Sequence, residues 1–428
     1  MFAQNPEIQR NIQPHYSSQG IERIRDLLME RGALSFPALP SGLFSAALVS
    51  RSAPHTGYQA TWVRDNVQVA HSLMVNGESA KAVKAVLALA EHFERQTKRF
   101  EAIIADPSIA ANPMNRPHVK FNGFPIGEIP NWSHAQNDAL GYFLWIFTRM
   151  VRLGYIPFSQ VHASLMARFA SYFQAIRFWL DEDSGHWEEE RRNSASSIGT
   201  VCAGLRELNA LLESAPGVTF GRPALNELVE SLLRSGLDRL NSILPSECVQ
   251  VPPRRRRYDA ALLFLAYPLE IVSDEMADQI IEDIQQNLQG DYGIRRYLGD
   301  SFWCLNYRRN LSAEDRTRHF QTDLRTRDRF FEPGTEAQWC IFDPIISVAF
   351  GRRYQRSGDA KWLVRQTEYF NRALRQITPD FLCPELWHWE TADDGSRILE
   401  TSEATPLLWT QSNLRLALKE MEKSAKRI

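Results

Sequence analysis

Apolar residues recur along most of this chain at intervals of three and four, the spacing that gathers side chains on one face of an α-helix. Leu225, Leu228, Val229, Leu232, Leu233 and Leu240 form one such stripe, and Leu165, Met166, Phe169, Tyr172, Phe173 and Ile176 form another. Val83, Val86, Leu87 and Ala90 mark a third. Strict apolar–polar alternation, the mark of a half-buried strand, is scarce. The stripes predict helices near 18–31, 65–76, 78–97, 133–153, 158–180, 194–213, 223–242, 257–271, 273–289, 335–357, 359–377 and 405–426. Some ends carry their own signals. Ser273 ahead of Asp274 and Glu275 reads as an N-cap, and Gly77 and Gly290 close helices at Asn76 and Gln289.

These helices come in consecutive pairs joined by short turns. Longer irregular segments follow some pairs, at 98–132, 181–193, 290–334 and 378–404. No Gly/Ser-rich or Pro-rich linker divides the chain. About a dozen paired helices in one domain suggest a ring of helical hairpins closed on itself, with residues 1–428 as a single domain and 1–60 as its lead-in. In such a ring the long loops at one end are the natural place for a pocket.

Composition narrows the classes. The hydrophobic fraction of 44% and charged fraction of 23% are those of a folded globular chain. Lys+Arg at 49 against Asp+Glu at 51 leaves a net charge of −2, so no global attraction draws the chain to nucleic acid or to an acidic membrane. The run Arg254 to Arg257 reads as a solvated, acid-pairing cluster rather than a nucleic-acid patch. The longest strong apolar run, Ala260 to Leu269, is the size of a buried helix and falls short of the ~20 residues of a membrane span. The opening MFAQNPEIQR lacks the basic and apolar regions of a secretory signal, and the five widely spaced cysteines form no C-x-x-C pair. Together these point to a cytoplasmic protein without structural metal or cofactor, and none of the usual dinucleotide, P-loop, serine-hydrolase or zincin motifs occurs.

The loops hold much of the candidate chemistry. In SGHWEEERR, Trp187 precedes Glu188, Glu189 and Glu190. Clustered like charges beside a desolvating indole raise a carboxyl pKa, the property a general acid needs. The plainer reading is a solvated acidic loop paired with Arg191 and Arg192. TWVRDN sets Trp62 beside Arg64 and Asp65, a fork of donors next to a pair of acceptors that suits the hydroxyls of a sugar. Asp65 is equally read as the N-cap of the next helix. CPELWHWE presents Glu385 among Trp387 and Trp389, where a base could hold a water or the loop could merely pack its indoles. GIRRYLGD offers Arg295 or Arg296 to a ligand, and Trp132 opens a helix that Ser133 would cap.

Taken in order, TWVRDN, PNWSHAQNDALG, SGHWEEERRNSASSIG, YDAALLFLAYPLEIV, LQGDYGIRRYLGDSFW, EAQWCIFDPIISVAFG and CPELWHWE make the chain resemble glycoside hydrolase family 15, from about Thr61 to about Leu418. That family holds the glucoamylases and the related region of the phosphorylase kinase alpha and beta subunits, and the wording here is closer to the kinase-subunit and bacterial branch. The resemblance implies an all-α fold, the (α/α)6 barrel, and inverting, exo-acting hydrolysis of α-glucosidic bonds. Carried over by position, Glu188 is similar to the general acid and Glu385 to the general base. Arg64, Asp65 and Arg296 resemble the residues that hold the sugar ring. Trp62, Trp132, Trp187 and Glu189 would line the pocket. The segment around Glu385 reads PEL rather than the familiar E-Q form. An N-terminal β-sandwich and a starch-binding module are not expected, so the implied partner is a small soluble oligosaccharide. The kinase-subunit likeness implies an alternative, a carbohydrate-binding or regulatory module without turnover.

Overall fold

Helix pairs with one apolar face each have to bury those faces against one another, and in the computed structural model they do so in two concentric layers. The structure describes residues 4–48, 57–129, 132–214, 224–317 and 324–427. The ring helices are α1 (Ser18–Glu30), α2 (Val63–Val75), α3 (Ser79–Glu94), α4 (Asn137–Arg152), α5 (Gln160–Ala175) and α6 (Ala195–Ser214), then α7 (Leu225–Ile243), α8 (Leu263–Ala266), α9 (Asp274–Asn287), α10 (Phe342–Ser357), α11 (Ala360–Arg375) and α12 (Leu408–Arg427). The even-numbered helices form the inner layer: α2 packs on α4, α4 on α6, α6 on α8, α8 on α10, α10 on α12, and α12 back on α2. The odd-numbered helices lie outside their partners. This closed cycle of contacts is the (α/α)6 toroid that the hairpin count and the motif order imply.

Position in the ring follows from the width of the apolar face. The inner helix α4 is buried on nearly every side, from Asn137 to Thr148. The outer helix α7 buries one stripe, Leu225, Val229, Leu232, Gly236, Leu240 and Ile243. On α3 the buried stripe is Val86, Leu89 and Phe93 with small alanines, so it is turned from the expected Val83–Leu87 edge, and both of those residues are half-buried. Ser273 caps α9 as read, accepting from the Met276 amide.

Several elements depart from the sequence reading. The helix expected at 257–271 shrinks to α8, after a 3-10 turn at Ala260–Leu262, because Pro268 disfavours helical backbone at Tyr267, which is extended. The helix expected from 335 begins only at Phe342, since Gln338–Trp339 is a strand. Asn287, not Gln289, ends α9. The segment 98–132 contains a helix at Thr97–Ala105, ended where Asp106 turns extended before Pro107. Pro6–Asn11 is also helical. The expected start of a helix at 223 lies outside the described residues.

Two small antiparallel sheets sit among the long loops. One joins β1 (Thr61–Trp62), β2 (Lys120–Gly123) and β3 (Ile126–Glu128), with Trp62 opposite Lys120. The other joins β4 (Gln338–Trp339), β5 (Leu386–Thr391) and β6 (Arg397–Thr401), with Trp339 opposite Leu386. These sheets brace the loops that carry the candidate residues.

The tightest crossing of the inner layer is that of α4 with α6. A Cβ on Gly141 would lie 2.7 to 2.9 Å from the backbone of Thr200 and Val201. A methyl there must push two backbones apart. Gly141→Ala is therefore expected to destabilise the fold by ~1–3 kcal/mol, read by urea denaturation. An unchanged midpoint would contradict this close approach.

Candidate active site

The N-terminal ends of inner helices α2, α4, α8, α10 and α12 converge on one mouth of the ring. Arg64 and Asp65 stand in the first turn of α2, and Asp138 in the first turn of α4 accepts from Arg64 Nε at 2.6 Å. Asp259, just ahead of α8, accepts from the Trp187 indole at 2.9 Å. Phe342 of α10 meets the Trp187 ring edge-on, and Trp409 of α12 lines the same hollow. Helix N-termini favour negative charge nearby. The hollow, counted together with its open mouth, takes in about 790 Å³. Tyr58, Trp62, Arg64, Asp65, Trp132 and Trp187 line it, together with Glu188, Glu189, Arg296 and Glu385. The nine residues that the family resemblance carries over, Trp62, Arg64, Asp65, Trp132, Trp187, Glu188, Glu189, Arg296 and Glu385, thus share one pocket, whereas Arg295 and Glu190 from the same segments do not line it.

The WEEE segment is split by its backbone. A 3-10 turn at Gly185–Trp187 ends in Glu188, whose φ of 57° is left-handed. Glu188 faces the pocket and accepts from the Trp62 indole at 2.9 Å. Glu189 turns into a buried basic cluster, accepting from Arg296 and Arg327 at 2.8 Å each and from Tyr297 at 2.5 Å. Glu190 is half-exposed and pairs with Arg192. The protonation of the three differs accordingly. Burial raises the Glu188 pKa, with Asp138 adding to the rise while Arg64, Lys120 and the Trp62 hydrogen bond oppose it. Glu189, despite its burial, is held far below the carboxylate range by Arg327, Arg296 and Arg256. The expected mutual repulsion of adjacent carboxylates is thus not what raises the Glu188 pKa; burial is.

Glu385 enters from the opposite side of the chain, on the loop before β5. It is 2% exposed. Tyr58 donates to Oε1 at 2.7 Å and Ser402 to Oε2 at 2.9 Å. Burial pushes its pKa to about 7 against the pull of those two hydrogen bonds and of Arg296. The Tyr58 and Trp62 rings lie 5.6 Å apart. Each of the two raised carboxylates is therefore tied to one ring of a neighbouring aromatic pair.

Arg64 is more committed than its sequence context suggests. It is spent on Asp138, on Gln136 at 3.0 Å and on the Gly185 carbonyl at 3.1 Å, with Nη1 at 3.6 Å from Glu188. Asp65 does not cap α2; Trp62 holds the cap position and makes no side-chain bond there. Nor does Ser133 cap α4: its hydroxyl pairs with Ser184, and Gln136 precedes the helix. Of the two adjacent arginines, Arg296 is in the pocket, bonded to Asp300 at 2.6 Å. Arg295 instead reaches the Gln289 carbonyl.

Sequence reasoning passed over several lining residues. Tyr58 precedes TWVRDN by a few positions, and Trp339 sits within EAQWC. Lys120, behind the lining, is buried against the Trp62 and Trp132 rings, at 4.2 and 3.3 Å from their centroids, and burial lowers its pKa to about 8. Arg327 comes from RTRDR, which carries no motif. Among the described residues no cluster of three or more His, Cys, Asp or Glu has the arrangement of a metal site, and no helix is long and apolar enough to cross a membrane.

Burial raises the Asp65 pKa from 3.8 to about 7, with Glu188 adding to the rise and Arg64 opposing it. The folded state therefore prefers the neutral acid. That stabilisation is complete below the ordinary value and is lost as pH rises through about 7. Asp65→Asn removes the titration. Its stability relative to the parent is expected to improve between pH 5 and pH 8 in urea denaturation, and a difference independent of pH would contradict the shift.

Comparison with known proteins agrees with this geometry. A probable phosphorylase b kinase regulatory subunit alpha of Caenorhabditis elegans is 27% identical over 401 residues, covering 82% of this chain and 30% of that protein. The chain thus spans under a third of the length of that relative. A glycosidase variant solved in complex with glucose superposes with a TM-score of 0.67 at 18% identity, covering 95% of this chain and 99% of the other. The glucoamylase of Saccharomycopsis fibuligera gives 0.60 at 14% identity, with 97% of each chain covered. The model of glycosyl hydrolases family 15 matches residues 29–337, a span that includes Arg64, Glu188 and Arg296 and stops short of Glu385. Matched over well more than half its length, with the toroid and its pocket in place, the chain belongs to glycoside hydrolase family 15.

Proposed function

We propose that this chain is an inverting, exo-acting α-glucosidase that releases glucose from the ends of small soluble oligosaccharides. One observation carries the reading: two buried carboxyls with raised pKa values, Glu188 and Glu385, line the same sugar-sized pocket on different loops. Glu188, acting in the neutral form that burial favours, donates its proton to the glycosidic oxygen as the bond to the anomeric carbon breaks. Glu385, in the ionised form that a pKa of about 7 leaves partly populated near neutral pH, takes a proton from a water that attacks the opposite face of the ring. The products are β-glucose and the shortened sugar, and the two carboxyls end with their protons exchanged. An inverting pair stands ~6.5–9.5 Å apart to admit that water.

The remaining lining residues divide the work. Asp65 and Arg296 hold the ring hydroxyls so that one bond lies between the carboxyls. Arg64 fixes Glu188 and Asp138 and limits how far the acid can drift. Trp62, Trp132 and Trp187 supply flat apolar walls for the sugar faces. Glu189 serves as the counter-charge that keeps Arg296 in place.

Glu188→Gln and Glu385→Gln are each expected to slow glucose release from maltose by ~10²–10⁴-fold, with the circular-dichroism spectrum unchanged. Proton NMR of the first sugar released is expected to show the β-anomer. Near-parental turnover in either variant removes that residue's role, and an initial α-anomer contradicts inversion.

The similarity to a kinase regulatory subunit favours a second reading, a sugar-binding regulatory module. Saturable binding of maltooligosaccharides with no glucose release from maltose, isomaltose or longer chains would select it.

A further inference from the structure

Beside the sugar pocket lies a second, open hollow, about 1670 Å³ counted out into the solvent at its mouth, that the glycosidase reading does not use. Six arginines line it: Arg192, Arg255, Arg256, Arg257, Arg325 and Arg327. Only two carboxylates, Glu190 and Asp328, share the lining. The hollow gathers four segments that are far apart in sequence, near 190, 255, 298 and 325.

The arginines fall into two groups. Four are anchored: Arg192 on Glu190 at 3.0 Å, Arg256 on Asp259 at 2.9 Å, Arg257 on Asp283 at 2.6 Å, and Arg327 on Glu189 at 2.8 Å. Two are exposed, Arg255 and Arg325, and among the described residues neither forms an ion pair. Two of the anchored guanidiniums also lie over rings, Arg256 at 3.4 Å from the Tyr297 centroid and Arg257 at 5.0 Å from that of Tyr258. Stacking and anchoring fix a guanidinium plane in advance, so little freedom is lost when its remaining N–H groups bind an anion. The four consecutive arginines from 254 are thus only partly absorbed by acid pairing. Arg254 pairs with Glu182, and the chain turns Arg255, Arg256 and Arg257 to one hollow.

We propose that this hollow binds a small, multiply charged oxyanion ligand of the phosphate or phosphate-ester class, at a site separate from the sugar pocket. Forked guanidinium donors on several sides match the several oxygens of a phosphate, whereas a neutral sugar offers no charge to repay crowding like charges. A near-neutral chain whose arginines crowd into one concavity suits a small ligand better than a nucleic-acid backbone, which would need an extended basic track. Arg327, 2% exposed, belongs to the linings of both hollows and is bonded on the sugar side to Glu189. It forms the partition between them.

The test is isothermal titration of the full chain with inorganic pyrophosphate at low salt, repeated with added salt and with maltose present. Saturable one-site binding is expected, weakening as ionic strength rises and indifferent to maltose. The double variant R255A/R325A is expected to bind at least about tenfold more weakly, with an unchanged melting temperature. The control double variant R10A/R23A, which removes two exposed arginines elsewhere, is expected to bind like the parent. Absence of binding overturns the proposal, as does displacement by maltose or equal weakening in both double variants.

Discussion

The left-handed backbone at Glu188 is the constraint on which the site depends. On a solvated loop, three consecutive glutamates would all meet water and ionise alike. The positive φ at Glu188 sends it into the pocket while Glu189 enters the arginine cluster behind it and Glu190 meets solvent. A non-glycine residue in this region costs ~1–2 kcal/mol, and the surroundings hold it there. The Asp183 and Arg192 backbones bond to each other across the base of the loop, Ser184 donates to the Ala135 carbonyl, and Arg64 clasps the Gly185 carbonyl. The same turn thus pushes the pKa values of adjacent glutamates apart, Glu188 upward and Glu189 downward.

That division shapes the electrostatics of the mouth. Glu189 and Asp300 neutralise buried Arg296 and Arg327, so the far wall is rigid and charged but balanced. The near wall, with Glu188, Glu385 and Asp65, is under-neutralised, and burial leaves its carboxyls reluctant to ionise. Lys120, pressed between two indoles, is a nearby cation whose own charge is weakened by burial. A pocket so arranged stores protons near neutral pH at the place where the proposed chemistry passes one across a glycosidic bond.

Much of this was legible in the sequence, and the reasons are physical. Helices of about sixteen residues repeat their apolar face four times, so α4, α5 and α7 announce themselves, and their pairing follows from short turns. Glu188 and Trp62 were legible because local motifs carry them. Strands such as β4, two residues long, have no room for a period to appear, and Leu386–Thr391 was hidden by its own tryptophans. Tyr58, Lys120 and Arg327 were missed for a different reason. Each is an isolated residue whose meaning comes from a partner that only ring closure supplies: Glu385 for Tyr58, Trp132 for Lys120, Glu189 for Arg327.

The central claim is that Glu188 gives a proton to a leaving group and Glu385 takes one from water. Turnover of α-glucosyl fluoride against maltose in the Glu188→Gln variant separates these jobs, because fluoride departs without being protonated. The account predicts that the variant keeps fluoride hydrolysis within about tenfold of the parent while its maltose hydrolysis falls by ~10²–10⁴-fold. Equal losses on both substrates would contradict it.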